Sequence, residues 1–160
     1  MTIRKARIED IDSILEIYLA AKQFMQATGN KKQWASEYPS EALIIKDIKD
    51  EKQYICIYES RIAGTFYFNV EEDKTYAEIY EGKWLNDRPY GVIHRLASNG
   101  TGKGIAHFCL QWCFNQRNNI RVDTHKDNTI MQNILKRNGY QQCGVIFVQD
   151  GTERFAYQKS

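Results

Sequence analysis

The chain has 160 residues, 42% apolar and 26% charged, which suits one globular domain over 1–160 with a sizeable core. No apolar run reaches the roughly 18 residues of a membrane-spanning helix, and "MTIRKARIEDI" carries no signal-peptide core, so no membrane partner is expected. Net charge is 22 − 20 = +2 without a single-sign block, which argues against a nucleic-acid partner.

In chain order, a short strand precedes Ile11, Ile14, Leu15, Tyr18 and Leu19, whose spacing is that of an amphipathic helix ended by Gly29-Asn30. "KKQWASEYPS" reads as a loop into a second helix, "EALIIKDIKD". The runs "QYICIYES" and "RIAGTFYFNV" meet near Ser60-Arg61 as a hairpin. After the charged turn "EEDK", the stretch "TYAEIYEG" also reads as a strand, and the loop "KWLNDRP" leads into the apolar run "YGVIHRLAS". Gly100, Gly102 and Gly104 then open a helix that sets Ile105, Phe108, Cys109, Trp112 and Cys113 on one face. "NIRVDTH" is a short buried strand. "DNTIMQNILKRNG" is a helix with Ile130, Met131, Ile134 and Leu135 inward and Gly139 as its stop. "YQQCGVIFVQ", an Asp150-Gly151 turn and "TERFAYQK" close the chain as a hairpin. The order β-α-α-β-β-β-β-α-β-α-β-β predicts a mixed α/β sheet with helices on both faces.

The four cysteines (Cys56, Cys109, Cys113 and Cys143) form no CxxC pair and read as buried thiols in a reducing, cytoplasmic setting. Asp123 and His125 lack a third ligand at metal spacing, so no metal is expected.

A strand, a glycine-rich turn and a helix start together make an anion site. First-turn N–H groups have no intrahelical partner and the helix dipole adds positive charge. The alternative is a turn without a ligand. A Walker A loop aligned on Lys103 would need Gly at Ala97 and Ser or Thr at Gly104. A dinucleotide fingerprint would need Gly at Ile105 or at His107. Both patterns fail.

"LASNGTGKGIA" followed by a helix resembles motif A of the GNAT N-acetyltransferase superfamily, Q/R-x-x-G-x-G/A, read here as Thr101-Gly102-Lys103-Gly104-Ile105-Ala106. Thr101 departs from the usual Gln or Arg, and the turn before it is about two residues short. "RVDTHKDNTIMQNILKRNGYQQCGVIF" resembles motif B, with Asn128 eleven residues before Gly139, and "IRKARIEDIDSILEIY" resembles the family's first strand and helix.

The resemblance implies a mostly antiparallel central sheet of about seven strands, order β-α-α-β-β-β-α-β-α-β-β, parted to admit acetyl-CoA as co-substrate. It implies that the pantetheine arm pairs with Leu96, Ala97 and Ser98. It further implies that the pyrophosphate sits on amides of Thr101, Gly102, Lys103, Gly104, Ile105 and Ala106. Asn128 either meets the pantetheine or caps its helix, and Lys136 or Arg137 either meets the adenosine phosphates or is a solvated face. Backbone N–H near Leu96 or Ala97 would hold the oxyanion.

His94 matches the position of a catalytic His in arylalkylamine N-acetyltransferases, and on an extended strand it would share a face with Leu96. It is either the base that deprotonates the amine or a His packed in the sheet. Glu81 is the second candidate base. The family's thiolate-protonating Tyr position holds Leu135, leaving Tyr140, Tyr90, Tyr80 or solvent. Phe24, Met25, Asn30, Trp34 and Tyr38 either form the acceptor wall or pack the first helices on the sheet.

The implied activity is transfer of acetyl from CoA to a primary amine of a small molecule or peptide in a ternary complex. A module that binds acyl-CoA without turnover, or an enzyme for a different acyl-CoA, is the alternative. A homodimer is compatible, as many relatives dimerise.

Overall fold

A computed structural model describes residues 1–34 and 37–160. Seven strands, β1 (Thr2–Lys5), β2 (Gln53–Tyr58), β3 (Arg61–Val70), β4 (Gly91–Ser98), β5 (Ile120–Thr124), β6 (Gln141–Phe147) and β7 (Glu153–Lys159), join in the order β1-β2-β3-β4-β5-β7-β6. Every neighbouring pair is antiparallel except β4 and β5. The helices are α1 (Ile11–Ala27), α2 (Glu41–Lys49), α3 (Ile105–Gln116) and α4 (Thr129–Arg137).

Local chemistry sets the boundaries. Ser40 accepts from the Leu43 amide at 3.2 Å to open α2, and Asn128 accepts from the Met131 amide at 3.0 Å to open α4. Glu59 and Ser60 both take positive φ at the β2–β3 turn, the backbone of a tight hairpin.

Helices cover both faces of the sheet. Ile105, Cys109, Leu110 and Cys113 of α3 and Leu135 of α4 pack against Phe66, Ile93, Ile120 and Tyr157 on one face. Ile14, Ile17 and Tyr18 of α1 and Ile44 and Ile48 of α2 pack with Trp34, Ile55 and Ala97 on the other. Leu19 and Ile130, which the periodicity turned inward, are 59% and 40% exposed. All four cysteines are buried and free.

The run 75–82 corrects the strand expectation. Lys74–Tyr76 is a 3-10 turn, and among the described residues the segment's β-pairing with the sheet is a single bridge of Tyr80 to Val145. Its apolar residues cover the sheet rather than extend it: Tyr76 is fully buried with Tyr67, Tyr90 and Val92. Among the described residues no helix is long and apolar enough to cross a membrane.

Candidate functional site

Strands β4 and β5 pair only at Gly91–Ile120 and Val92–Arg121 and then part. A cavity of about 470 Å³ opens there, floored by Leu110, Met131 and Leu135 and walled by Ile93, Leu96 and Val122. It continues past His94 toward Met25, Trp34 and Tyr38 on one side and Asp123 and Arg154 on the other.

A bulge re-aims β4 at the mouth of this gap. Thr65 faces Ala97 but Tyr67 faces His94, so β4 carries one residue more than β3, and Arg95 sits at φ +53. A left-handed non-glycine residue costs about 1–2 kcal/mol, and several contacts hold it there. Tyr18 Oη donates to the Arg95 carbonyl at 2.9 Å, and the guanidinium is ion-paired to buried Asp47 and donates to Tyr38 Oη at 3.1 Å. Burial pushes the Asp47 carboxyl up from its ordinary pKa, with the Arg95 charge opposing.

The bulge overturns one expectation. Leu96 packs toward α3, whereas His94 lies with Tyr67 and Tyr76 on the face that carries α1 and α2. Asn99 N donates to Ala63 O at 3.0 Å. By strand alternation Ala97 then turns its backbone groups to β3, and Leu96 and Ser98 turn theirs to the gap.

His94 lines the cavity, and its Nε2 is 2.9 Å from Asp73 Oδ2. Thr75 N and Oγ1 donate to Asp73 Oδ1 at 2.9 and 2.6 Å, and the Asp73 amide donates to Tyr90 Oη at 3.0 Å. Burial pushes the Asp73 carboxyl up, but the bonds from His94 and Thr75 and the nearby His94 charge outweigh it and hold the pKa at about 2. An ionised carboxylate only accepts. The proton of a neutral His94 therefore resides on Nε2, and Nδ1 carries the free lone pair.

Past the C-terminal end of β4, Gly104 at φ +78 precedes α3, and a Cβ on Gly100 or Gly104 would meet nothing within 4 Å. A side chain on Gly102 would come within 3.0 Å of Tyr58 and Ile105. The amides of Gly102, Lys103, Gly104, Ile105, Ala106 and His107 have no partner among the described residues. The amide of Thr101 differs from this expectation: Asn99 Oδ1 accepts from it at 3.0 Å and from its hydroxyl at 2.7 Å.

Other expected site residues divide. Met25, Trp34 and Tyr38 line the cavity. Phe24 does not; it is 55% exposed. Asn30 is buried away from the cavity and donates to Gln33 Oε1 at 3.0 Å. Ala35 and Ser36 of the same loop lie outside the described residues. Asn128 lines the cavity, yet its amide is engaged at both ends, as the α4 cap and as a donor to Gln33 Oε1 at 3.0 Å. Arg137 is exposed and reaches its own helix carbonyl at Asn133. Its neighbour Asn138 bonds His107 in the first turn of α3, so the end of α4 lies beside the start of α3. Lys136 is exposed.

Glu81 is corrected as a base: it sits exposed at φ +56 beside Gly82, which is clamped on Cys143 of β6, and it does not line the cavity. Tyr140, Tyr90 and Tyr80 do not line it either. Tyr140 Oη is buried in the α3-side core, Tyr90 Oη accepts from Asp73, and Tyr80 Oη donates to Glu78.

Sequence reading missed Asp73, Arg95, Asp47 and Gln33. Asp47 had a signal, a carboxylate within the apolar stripe Ile44–Ile48 of α2. Gln33 ties the loop to β5 and α4 by accepting from Thr124 Oγ1, the His125 amide and Asn128 Nδ2. Neither Gln33 nor Asp73 stands out by spacing. Among the described residues no group of three His, Cys, Asp or Glu could hold a metal ion.

No protein-family model matches the chain, and no curated protein matches it. Solved structures do. An acetyltransferase of the GNAT family from Streptococcus agalactiae 2603 is 35% identical, with 99% of this chain and 94% of that one covered and a TM-score of 0.91. A GNAT-family acetyltransferase from Listeria monocytogenes 4b F2365 is 17% identical over 99% and 93%, with a TM-score of 0.73. A chain of the NatC complex bound to Gag peptide and CoA is 16% identical over 99% and 96%, with a TM-score of 0.60.

Proposed function

The chain belongs to the GNAT family of acetyltransferases, and from that premise we propose that it moves an acetyl group from acetyl-CoA to a primary amine by direct attack in a ternary complex. The observation that carries this reading is the parting of β4 from β5 beside a row of unpartnered amides. The residues present fit coenzyme A. Open space over Gly100 and Gly104 lets a diphosphate approach the backbone, and Leu96 and Ser98 offer edge groups to an amide-bearing arm. The fold neighbour determined with CoA supports the same class of donor.

Acetyl-CoA would supply the activated acyl group as a thioester. The chain's residues do the rest. His94 Nδ1 takes a proton from the amine, directly or through water, while Asp73 holds the ring and offsets the charge gained. The gap-facing amide at Leu96 donates to the developing oxyanion. The new C–N bond replaces the C–S bond, and the departing thiolate, with a pKa of about 8.5, takes its proton from solvent.

The melting temperature should rise with acetyl-CoA or CoA and stay unchanged with ATP or NAD. An amine panel should then accelerate thiol release. Leu135, where relatives carry a tyrosine, favours a second reading: a module that holds acyl-CoA without turnover. Stabilisation by CoA with no amine-dependent thiol release would decide for it.

A further inference from the structure

Beyond His94, the cavity carries carboxylates on both sides of the gap and one guanidinium, that of Arg154, on the far side. On the β4 side stand Asp73 and Thr75 with His94; on the far side stand Asp123 of β5 and Arg154 of β7. Asp123 accepts from Tyr76 Oη at 2.6 Å and pairs across the ladder with Ala156. Arg154 precedes Ala156 by two residues in β7, so its Cα lies about 7–8 Å diagonally from that of Asp123.

Arg154 is only 6% exposed, yet all of its described partners are neutral. NH1 donates to Thr152 Oγ1 at 2.9 Å and to Glu153 O at 2.8 Å, and NH2 donates to Gln33 O at 3.1 Å. Among the described residues no carboxylate is within ion-pair distance of it. Asp150, which also lines the cavity, is exposed and accepts from Thr152; those bonds and, less, the Arg154 charge lower its carboxyl pKa, but it forms no ion pair with Arg154. Arg95, the other guanidinium on the cavity, is neutralised by Asp47. A guanidinium withdrawn from water is ordinarily matched by an anion, and here the cavity side is where one would enter.

We propose that the acceptor is a small primary amine bearing a carboxylate on the same skeleton, an amino acid, with its amine beside His94, Asp73 and Asp123 and its carboxylate on Arg154. The assignment rests on the acetyl-transfer reading and narrows it. The carboxylates at Asp73 and Asp123 draw the ammonium in, and His94 receives the proton that frees its lone pair. The substrate carboxylate does not react; it fixes which way round the molecule enters. A peptide N-terminus presents a neutral amide in that place and leaves Arg154 unmatched, and a diamine places a second cation against it.

The test is kcat/KM for acetyl-CoA-dependent thiol release with α- and ω-amino acids of increasing length. Each is compared with its amide, with the alkylamine lacking the carboxylate and with the diamine of equal length. The preferred amino acid should exceed its amide by roughly 10- to 100-fold, the span of a charge-assisted hydrogen bond. Arg154→Gln should bring that ratio close to one, and Arg154→Lys should keep part of it. Because each ratio is taken on one protein, a loss of folded fraction in a variant cancels. An amide, diamine or peptide amine used as well as the acid would overturn the amino-acid assignment and leave acetyl transfer standing. Thiol release with none of the amines would overturn both.

Discussion

The two ends of the cleft are made of different material. The end assigned to the coenzyme comes from one continuous stretch, β4 through the first turn of α3, and offers mainly backbone amides and the space above two glycines. The acceptor end is assembled from side chains of segments far apart in the chain: Met25, Trp34 and Tyr38 from the α1–α2 region, Asp73 beyond β3, His94, Asp123 and Arg154. A backbone site tolerates substitution as long as the turn keeps its shape. A side-chain site changes its chemistry with each residue and so sets what the enzyme acts on.

Substitutions that fall on one end and spare the other sharpen this contrast. The largest effect belongs to His94→Ala. Loss of a general base costs about 10²- to 10⁴-fold, so kcat should fall by that range in a thiol-release assay. His94 is partly exposed and remote from the glycine turn, so stabilisation by CoA should persist. Equal loss of CoA stabilisation would show that the two ends are not separable.

Next is Asp73→Asn, where the ring keeps a neighbour but loses the charge that fixes its tautomer. We expect a fall in kcat of roughly 10- to 100-fold with little change in the KM for acetyl-CoA. The same variant has a stability signature. The folded pKa of Asp73, about 2, lies below the ordinary value of 3.8, so the unfolded chain binds its proton first as pH falls. Its contribution is fully present above about pH 4 and disappears as pH drops through about 2. Acid titrations of wild type and Asp73→Asn should therefore differ at neutral pH and converge near pH 2.

The same contrast explains what was legible in the sequence. Helix periodicity, Asp150-Gly151, Gly139 and the glycine turn are local signals, and the elements they mark are present. The strand over 75–82 was misread because Tyr76 and Ile79 are apolar for another reason, covering a sheet face. The shared face of His94 and Leu96 was misread because simple alternation does not foresee a bulge at Arg95, whose determinants, Tyr18, Asp47 and Tyr67, lie on three other elements. Gln33 and Asp73 act across 95 and 21 residues of chain, distances at which spacing carries no information.

The smallest effects fall on the glycine end, where a pair of variants tests whether backbone alone does the binding. Gly104→Ala forces a side chain onto φ +78, a conformation that costs an L-residue about 1–2 kcal/mol. Relaxation of the turn would swing the amides of Ile105 and Ala106, so KM for acetyl-CoA should rise about 5- to 30-fold with kcat nearly constant. Thr101→Ala removes only the hydroxyl bond to Asn99, leaving the amide bond that also closes the turn. The KM change should then be about twofold, since a neutral hydrogen bond contributes about 1 kcal/mol and here acts one step removed from the ligand. If both variants weakened acetyl-CoA equally, Thr101 Oγ1 would itself be a ligand contact, and the division into a backbone end and a side-chain end would have to be redrawn.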